Sequence, residues 1–402
     1  MASTSRHAHL SRPSRSLIAL ADALARSGSR IEDEYWERQI GALLGRALSG
    51  KPGRTVESAL DHLMDVQSQA YEVLVEQAEN HSESLRFTHQ GQSWDALLFS
   101  APILAWTRYK LPEGGLSAKQ ARELEALLAD SVAAPDARLA LLPELVRFER
   151  LPQSFHETRA WTQGLALRAL GGHQSVPVRP EGDEQPDNLL ADVLFLVGAI
   201  VVPEGQALFR WQDAQAERPV ELREESTIRW SANCARLLDP VFTGCQVEYL
   251  QPEAYYTSTR LADQRIRPLS LKAAVAWLQT AGHIPAKSLR AAIVACGEQG
   301  IEEYRVGFCT RENNDVIYGC VWPALSREET SPEPSTDEQV NAWEEIAALL
   351  REEGVQDIRR LPGVQALEFC DDCGTPYFPN MLGEMQHPEL PEEIDPEPMH
   401  FH

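Results

Sequence analysis

The feature that most constrains the fold is an order of predicted elements that occurs twice in the chain. Two strands flank a turn, and a loop, a helix and a further strand follow. Each helix opens on a capping box, in which Ser117 is paired with Gln120 and Thr336 with Gln339. The predicted strands of the two hairpins cover residues 85–89, 94–106, 303–311 and 315–322. The pattern predicts an α+β fold with repeated hairpin–helix units. Internal duplication and chance likeness of generic patterns both remain open as its origin.

Apolar periodicity predicts further elements around these units. The N-terminal region is predicted to be helical over 16–27 and 31–48, and a long amphipathic helix is expected after Pro52 with Thr55 as its N-cap. A third, more diverged hairpin is predicted over 192–202 and 207–211. From Cys245 the predicted order is strand, helix, three strands, helix and strand, which is similar to a ferredoxin-like layer with one added strand.

Composition changes along the chain predict its division into two halves. Residues 173–187 are rich in proline, glycine and acid, as is typical of a linker. We expect a helical plus α+β half before this linker and an α+β half with a CxxC motif after it. The predicted segments are a disordered tail 1–14, a first half 15–172, the linker 173–187, a second half 188–387 and an acidic disordered tail 388–402.

Charge and cysteine usage exclude several classes of protein. The net charge is −23 over 402 residues, and no basic stripe is present to neutralise phosphates, so nucleic-acid binding is not expected. No apolar run is long enough to span a membrane. The seven cysteines are mostly scattered, and the N-terminus has no apolar core of a signal peptide, which together indicate a reduced cytoplasm.

The strongest chemical motif is Cys370-Asp-Asp-Cys373-Gly374. Two thiolates at this spacing suit tetrahedral Zn²⁺, and the glycine lets the backbone turn beneath the metal. His387 is the natural third ligand, and His400 and His402 offer a fourth. The pair Cys309 and Cys320, expected to face each other across a hairpin, is a second source of ligands. A zinc site, a redox dithiol and unliganded thiols remain open as alternatives.

An arginine-rich segment is a second candidate site. Arg260, Arg265 and Arg267 precede Ser270, which is predicted to cap a helix N-terminus. Guanidinium groups and free helix N–H groups together would hold a phosphate or carboxylate. The competing interpretation is a solvated face on which neighbouring acids pair with these arginines.

Several words of the sequence resemble an uncharacterised bacterial family, a full-length domain of unknown function. They are IRPLSLKAAVAWL, EEYRVGF, a strand closed by VWP, CDDCGTPYFP, SGSRIEDEYWE and APILAWTRYKLPEGG. The resemblance spans nearly the whole chain. It implies a bacterial cytoplasmic protein and carries no activity to transfer.

These observations favour a non-catalytic protein that binds a protein partner and is tied near its C-terminus by zinc or by packing. We assign no catalytic residue, because the common nucleophile and nucleotide signatures are missing from the sequence. The alternative is a small-molecule binding protein or enzyme that holds an anionic ligand at the arginine-rich segment.

Overall fold

A computed structural model describes residues 10–51, 53–66, 68–107, 115–179, 191–212, 218–298, 300–325 and 341–391. Over these residues the fold is α+β, as the sequence predicts, with a helical N-terminal region followed by two larger sheets and the helices that cover them. None of the described helices has the length and apolarity needed to cross a lipid bilayer.

The N-terminal region packs four helices around one core. They are α1 (Arg12–Ala25), α2 (Arg30–Ser49), α3 (Thr55–Asp65) and α4 (Ala70–Glu83). The hydroxyls of Ser11 and Ser29 accept backbone N–H groups at the starts of α1 and α2, which satisfies donors that the first turn leaves unpaired. Apolar side chains such as Leu17, Leu44 and Leu74 fill the core.

The single long helix predicted after Pro52 is wrong, because the chain turns between α3 and α4. The backbone N–H of Ser68 donates to the Leu63 carbonyl, and the Ser68 hydroxyl accepts the N–H of Ala70. Thr55 is the first residue of α3, and no side chain caps that helix. The turn allows both helices to pack against α1, which one straight helix could not do.

The first sheet is antiparallel and has the strand order β1-β2-β4-β3, with β5 and β6 also pairing with β2. Helices α5 and α7 cover one face, and α6 with the first half of α8 covers the other. The elements are β1 (Ser84–His89), β2 (Gln92–Trp106), α5 (Ala118–Ser131), β3 (Arg138–Arg147), α6 (Phe155–Ala169), β4 (Ala191–Pro203), α7 (Pro219–Leu238), β5 (Gln246–Tyr249), β6 (Glu253–Ala254) and α8 (Tyr255–Thr280).

Local signals in this sheet are confirmed at one hairpin and wrong at another. Gln90 and Gly91 turn β1 into β2 with positive φ angles, and the capping box of Ser117 and Gln120 opens α5. The hairpin predicted over 192–202 and 207–211 does not form. In residues 204–212, the described stretch that follows β4, Phe209 forms one bridge, with Ala133, and a short 3-10 turn comes after it.

The predicted linker does not separate the two sheets. Strand β4 follows residues 173–187 in the chain, yet it lies between β2 and β3 in the first sheet. The described part of that segment packs on α6, where the Trp161 indole donates to the Pro177 carbonyl. Residues 180–190 lie outside the described part. The chain therefore passes from one sheet to the other after β6, and not at residues 173–187.

The second sheet has the order β10-β7-β8-β9, with β10 parallel to β7 and the other pairs antiparallel. Its elements are β7 (Leu289–Cys296), β8 (Glu303–Thr310), β9 (Tyr318–Pro323), α9 (Ala342–Glu352) and β10 (Asp357–Gln365). The second predicted capping box, Thr336 with Gln339, lies outside the described residues. The helix begins after Asn341, whose side chain accepts the N–H of Trp343.

The two hairpin–helix units share an order of elements but not a topology. The first unit is β1, β2, α5 and β3, and the second is β8, β9, α9 and β10. In each sheet one strand from outside the unit lies between the hairpin and the last strand. This strand is β4 in the first sheet, where it pairs with the second hairpin strand, β2, and β7 in the second sheet, where it pairs with the first hairpin strand, β8. The ferredoxin-like order expected from Cys245 is also not completed, because β5 pairs with β2 in the first sheet. Strand order therefore does not support the duplication.

Helix α8 connects the two sheets. Its first half packs on the first sheet through Tyr255 and Ala262, and its second half packs on the second sheet through Leu271 and Leu278. Its 26 residues span about 39 Å at about 1.5 Å per residue, enough to cover both sheets in one element.

A segment that we call the C-terminal cap, residues 366–391, covers the remaining face of the second sheet. It contains the short hairpin β11 (Phe378–Pro379) and β12 (Met385–Gln386). Phe378 and Met381 of the cap pack with Ala292 and Val294 of β7 on the face opposite α8 and α9.

Candidate metal centre

A tight two-stranded ribbon, residues 368–377, carries both cysteines of the CxxC motif at its tip, and we call it the knuckle. Phe369 and Pro376 form a bridge at its base, and the N–H of Cys370 donates to the Thr375 carbonyl. The N–H of Gly374 returns to the Cys370 carbonyl, with Gly374 at a φ of 71°. Glycine adopts this left-handed conformation without steric cost. Gly374, directly after Cys373, therefore lets the chain turn back at the position that brings the two thiols together.

A second turn returns the chain to the knuckle and delivers His387. The turn is organised by Asn380, a buried residue whose side-chain oxygen accepts the N–H groups of Leu382 and Glu384. Gly383 has a φ of 96° within it. Strands β11 and β12 pair on either side of the turn, so His387 emerges from β12 beside Cys373.

The ligand atoms of Cys370, Cys373 and His387 lie within 4.8 Å of one another. Cys373 Sγ and His387 Nε2 lie 3.2 Å apart. Tetrahedral zinc with Zn–S of about 2.3 Å and Zn–N of about 2.0–2.1 Å would separate sulfur and nitrogen by about 3.6 Å and two sulfurs by about 3.8 Å. Small side-chain rotations therefore suffice to bring the three atoms to these separations.

The electrostatics of the knuckle favour a thiolate at Cys373. Hydrogen bonds from the hydroxyl and the backbone N–H of Thr375, and then from His387, lower the pKa of Cys373 to about 6. Thiolate is the form of cysteine that binds metal. The side chain of Cys373 is exposed and that of Cys370 is half-buried, so the cluster is open to solvent on one side.

One buried arginine anchors the knuckle to the second sheet. Arg305 of β8 is fully buried, and its Nη1 donates to the carbonyls of Glu368 and Tyr377 at 2.6 and 2.8 Å. Its Nε donates to the carboxylate of Glu303 at 2.6 Å. The guanidinium carbon lies 5.0 Å from the centre of the Phe369 ring. Arg305 thus holds both strands of the knuckle at their base.

Two glycines leave room for the cap to approach the sheet. Gly307 of β8 pairs with Gly319 of β9. A Cβ atom at Gly307 would come 2.1 Å from the Pro379 carbonyl oxygen, and one at Gly319 would come 2.2 Å from the Phe378 ring. Glycine inside a strand often marks such a close approach, and here it lets β11 lie directly on the sheet.

The arginine-rich segment lies inside α8 and not before a helix N-terminus. Ser270 lies inside α8 and caps no helix, because α8 continues through Pro268. Arg260 pairs with Glu79 of α4, and Arg265 lies 3.8 Å from a carboxylate of β5. Arg267 is buried, where it donates to the Pro323 carbonyl and lies over the Trp322 ring. The side chains are engaged by three different elements.

The second source of ligands proposed from the sequence is also wrong. Cys309 packs on the cap face of the second sheet, and Cys320 packs on the face covered by α8 and α9. Because these are opposite faces of one sheet, the two thiols cannot share an ion. His400 and His402 lie outside the described residues, and within the described part of the chain the metal cluster has three members.

Sequence reasoning found the three clustered side chains but missed the residues that position them. Arg305 is a charge inside the buried part of β8, which is otherwise apolar after Glu303, and Gly307 and Gly319 interrupt buried strands. Both signals were visible, since a charge in a buried strand requires partners and a strand glycine indicates a close contact. The role of Asn380 needed the structure, because its partners are backbone groups of its own turn.

A family model described as "Protein of unknown function (DUF2863)" matches residues 2–401, nearly the whole chain. Comparison with curated proteins and with solved structures finds no significant match.

Proposed function

The chain belongs to the DUF2863 family of proteins of unknown function, and we propose that it is a zinc-binding protein. One Zn²⁺ is held by Cys370, Cys373 and His387. The proposal depends on one observation, which is that the three ligand atoms lie within 4.8 Å of one another at the tip of the knuckle. Two thiolates are soft ligands and an imidazole is a ligand of intermediate softness, and zinc binds both kinds. Magnesium and calcium prefer oxygen ligands.

The zinc ion has a structural role in this proposal. The Cys373–His387 pair closes a loop that contains the whole β11–β12 hairpin, and that hairpin covers one face of the second sheet. A metal bridge across this loop would reduce the conformational freedom of the unfolded cap, as a cross-link does. It would also bind the folded cap in preference to the unfolded one, which stabilises the fold by mass action.

Tetrahedral zinc takes a fourth ligand in addition to the three described side chains. Water fills this position in the simplest form of the proposal, because Cys373 is exposed. Histidine from residues 400 or 402 is the alternative donor within the chain. Single substitutions of these histidines distinguish the two forms, since only a protein donor makes zinc affinity depend on them.

We also propose that the cap is a binding surface for a protein partner. The supporting observation is the exposure of large apolar side chains on and beside the cap: Phe369 at 51%, Leu382 at 64% and Val364 at 41%. Exposed apolar groups of this kind are common at protein interfaces. The acidic charge of the chain argues against a nucleic-acid partner.

A reducing compartment, the bacterial cytoplasm, is the proposed location. All seven cysteines are free thiols. Thiols persist and bind zinc where glutathione or thioredoxin systems keep them reduced, whereas secreted proteins with several cysteines usually pair them.

Cobalt substitution tests the zinc proposal. Co²⁺ added to the metal-free protein should give the thiolate charge-transfer and visible d–d absorption of a tetrahedral site, and Zn²⁺ should displace it. His387→Ala should weaken or shift these bands, and Cys370→Ser with Cys373→Ser should remove them. Cys245→Ser, a half-buried thiol outside the cluster, is the matched control and should leave the spectrum unchanged. A wild-type spectrum of octahedral Co²⁺ would contradict the proposal.

The partner proposal has its own test. Phe369→Ser with Leu382→Ser should abolish co-purification of a partner from the native cell, while zinc content stays unchanged. Ile31→Ser, which removes an exposed apolar side chain from α2, is the matched control. A partner retained by the double variant and lost by the control would place the interaction elsewhere.

A further inference from the structure

We infer that Cys370 and Cys373 are the site of a reversible oxidative modification, in which a disulfide forms between them and the bound metal is released. The inference rests on the proposed function, since it names the regulation of the same site. It stands on the geometry of the knuckle and on the contrast between these two cysteines and the other five.

The geometry permits a disulfide within the knuckle. The N–H of Gly374 donates to the Cys370 carbonyl at 2.8 Å, and the N–H of Cys370 donates to the Thr375 carbonyl at 2.8 Å. This turn holds the two cysteine side chains on one side, with sulfurs no more than 4.8 Å apart. A disulfide needs a sulfur separation of about 2.05 Å, so the two sulfurs must close from at most 4.8 Å to that distance.

Solvent exposure explains why an oxidant would react at the knuckle cysteines and not at the other five. Cys373 is exposed, whereas Cys234, Cys296, Cys309 and Cys320 are buried. Those four thiols pack in apolar cores, where an oxidant has no access. Cys245 is half-buried, and the cysteine in its group of neighbours, Cys234, is a buried thiol whose pKa is raised by burial, which disfavours the thiolate that would resolve an oxidised sulfur. The knuckle therefore holds both an accessible sulfur and a resolving sulfur within reach.

The reaction with hydrogen peroxide balances as a two-electron oxidation. The Cys373 thiolate attacks one peroxide oxygen and the O–O bond breaks, which yields a sulfenic acid at Cys373 and hydroxide. The Cys370 thiolate then attacks the Cys373 sulfur and the S–O bond breaks, which yields the disulfide and a second hydroxide. Two protons from solvent convert the hydroxides to water. The two thiolates lose two electrons in total, and peroxide gains them.

Disulfide formation removes two of the metal's ligands at once. His387 alone cannot retain zinc, because a single imidazole leaves most of the coordination shell to water. The cap itself remains attached, since Arg305 and the contacts of Phe378 with the sheet do not involve the metal. We expect a local change at the knuckle without global unfolding.

Peroxide treatment of the zinc-loaded full-length protein tests this inference. The expected result is release of one Zn²⁺ per chain, detected by a chromogenic chelator, with loss of two of the seven thiols. Peptide mass mapping should show a Cys370–Cys373 disulfide, and dithiothreitol with zinc should restore the starting state. Cys245→Ser should behave like the wild type. Cys370→Ser, which lacks the resolving thiol, should instead leave a sulfenic acid at Cys373 that dimedone traps.

Three outcomes separate this inference from the proposed function. Zinc bound in the reduced protein and retained after peroxide, with both thiols intact, overturns the inference and leaves the proposed function standing. Separate sulfinic acids at the two cysteines, without a disulfide, also overturn it. Reduced protein that binds no zinc contradicts the proposed function, and the metal-release half of the inference falls with it.

Discussion

At the scale of single residues, the cap depends on one guanidinium. Arg305 is fully buried, pairs with the half-buried carboxylate of Glu303 and donates hydrogen bonds to two carbonyls of the knuckle. A buried charge pair is weak evidence of net stabilisation, but removing one partner leaves the other charge and two carbonyls unsatisfied. Arg305 is therefore the residue at which a single change should have the largest effect on the cap.

We predict that Arg305→Met lowers the free energy of unfolding by about 3–5 kcal/mol. Arg265→Met, at an exposed arginine whose nearest carboxylate lies 3.8 Å away, should change it by less than about 0.5 kcal/mol. Urea denaturation of both variants measures the difference. Equal stabilities for the two variants would show that Arg305 does not anchor the knuckle.

Gly307 gives a second prediction at the same scale. Gly307→Ala should destabilise the protein by about 1–3 kcal/mol, because its Cβ would overlap the backbone carbonyl of Pro379 and backbone moves less easily than a side chain. Gly45→Ala in α2 is the control, since nothing lies within 4 Å of its Cβ and alanine is favoured in a helix by about 1 kcal/mol. Thermal denaturation should shift in opposite directions for the two variants.

Local signals in the sequence predicted individual residues well where the partners are close in the chain. The Ser117–Gln120 capping box and the Gln90–Gly91 turn each involve residues within a few positions, and both are confirmed. Ser270 was misassigned because it follows Pro268, and proline usually marks a helix start or end. Contacts with two different sheets maintain α8 through that proline, and no local pattern reveals them.

At the scale of elements, the helices differ in what fixes their first turn. A side-chain cap fixes the start of α5, whereas no side chain caps α3. We predict that Ser117→Ala lowers the free energy of unfolding by about 1 kcal/mol, because the Ser117 hydroxyl accepts the N–H of Gln120 and donates to the Gln120 side chain, and both contacts are lost. Thr55→Ala should have a much smaller effect, since the Thr55 side chain caps nothing in α3. A comparable loss for Thr55→Ala in urea denaturation would restore the cap predicted from the sequence.

The sequence could predict individual strands but not which sheet each strand joins. The apolar run of β4 and the alternation in β5 predict two strands, but both are drawn into the first sheet by pairing with β2, which lies more than eighty residues earlier in the chain. Periodicity specifies which face of a strand is buried, not which strand lies beside it. For this one reason residues 173–187 do not separate the two sheets and the ferredoxin-like order is not completed.

At the scale of the whole molecule, a buried carboxyl joins the helical region to the sheets. Glu83 at the end of α4 accepts the N–H of Tyr256 in the first turn of α8 at 2.9 Å. The Tyr256 hydroxyl also contacts Ser82 and Thr158. Burial raises the pKa of Glu83 from 4.5 to about 7, with Glu79 raising it further and Arg260 opposing this. The folded protein therefore binds a proton that the unfolded chain releases.

This pKa makes stability depend on pH. Because the pKa of Glu83 is higher in the folded protein, its protonation stabilises the fold. This stabilisation is complete below about pH 4.5 and is lost as the pH rises through about 7. Glu83→Gln should therefore gain stability relative to the wild type across that window, by about 3 kcal/mol, and the difference should level off at higher pH. Denaturation at several pH values measures it, with exposed Glu37→Gln as the control. A difference that does not vary with pH would contradict the assignment.

The central claim is that the three clustered side chains of the C-terminal cap hold one zinc ion, and metal analysis tests it most directly. Untagged protein purified without chelator should contain one zinc per chain by inductively coupled plasma mass spectrometry. Cys370→Ser with Cys373→Ser should contain none, while Cys245→Ser keeps the full amount. Wild-type protein free of metal, or a double variant that retains the full amount of zinc, would contradict the claim.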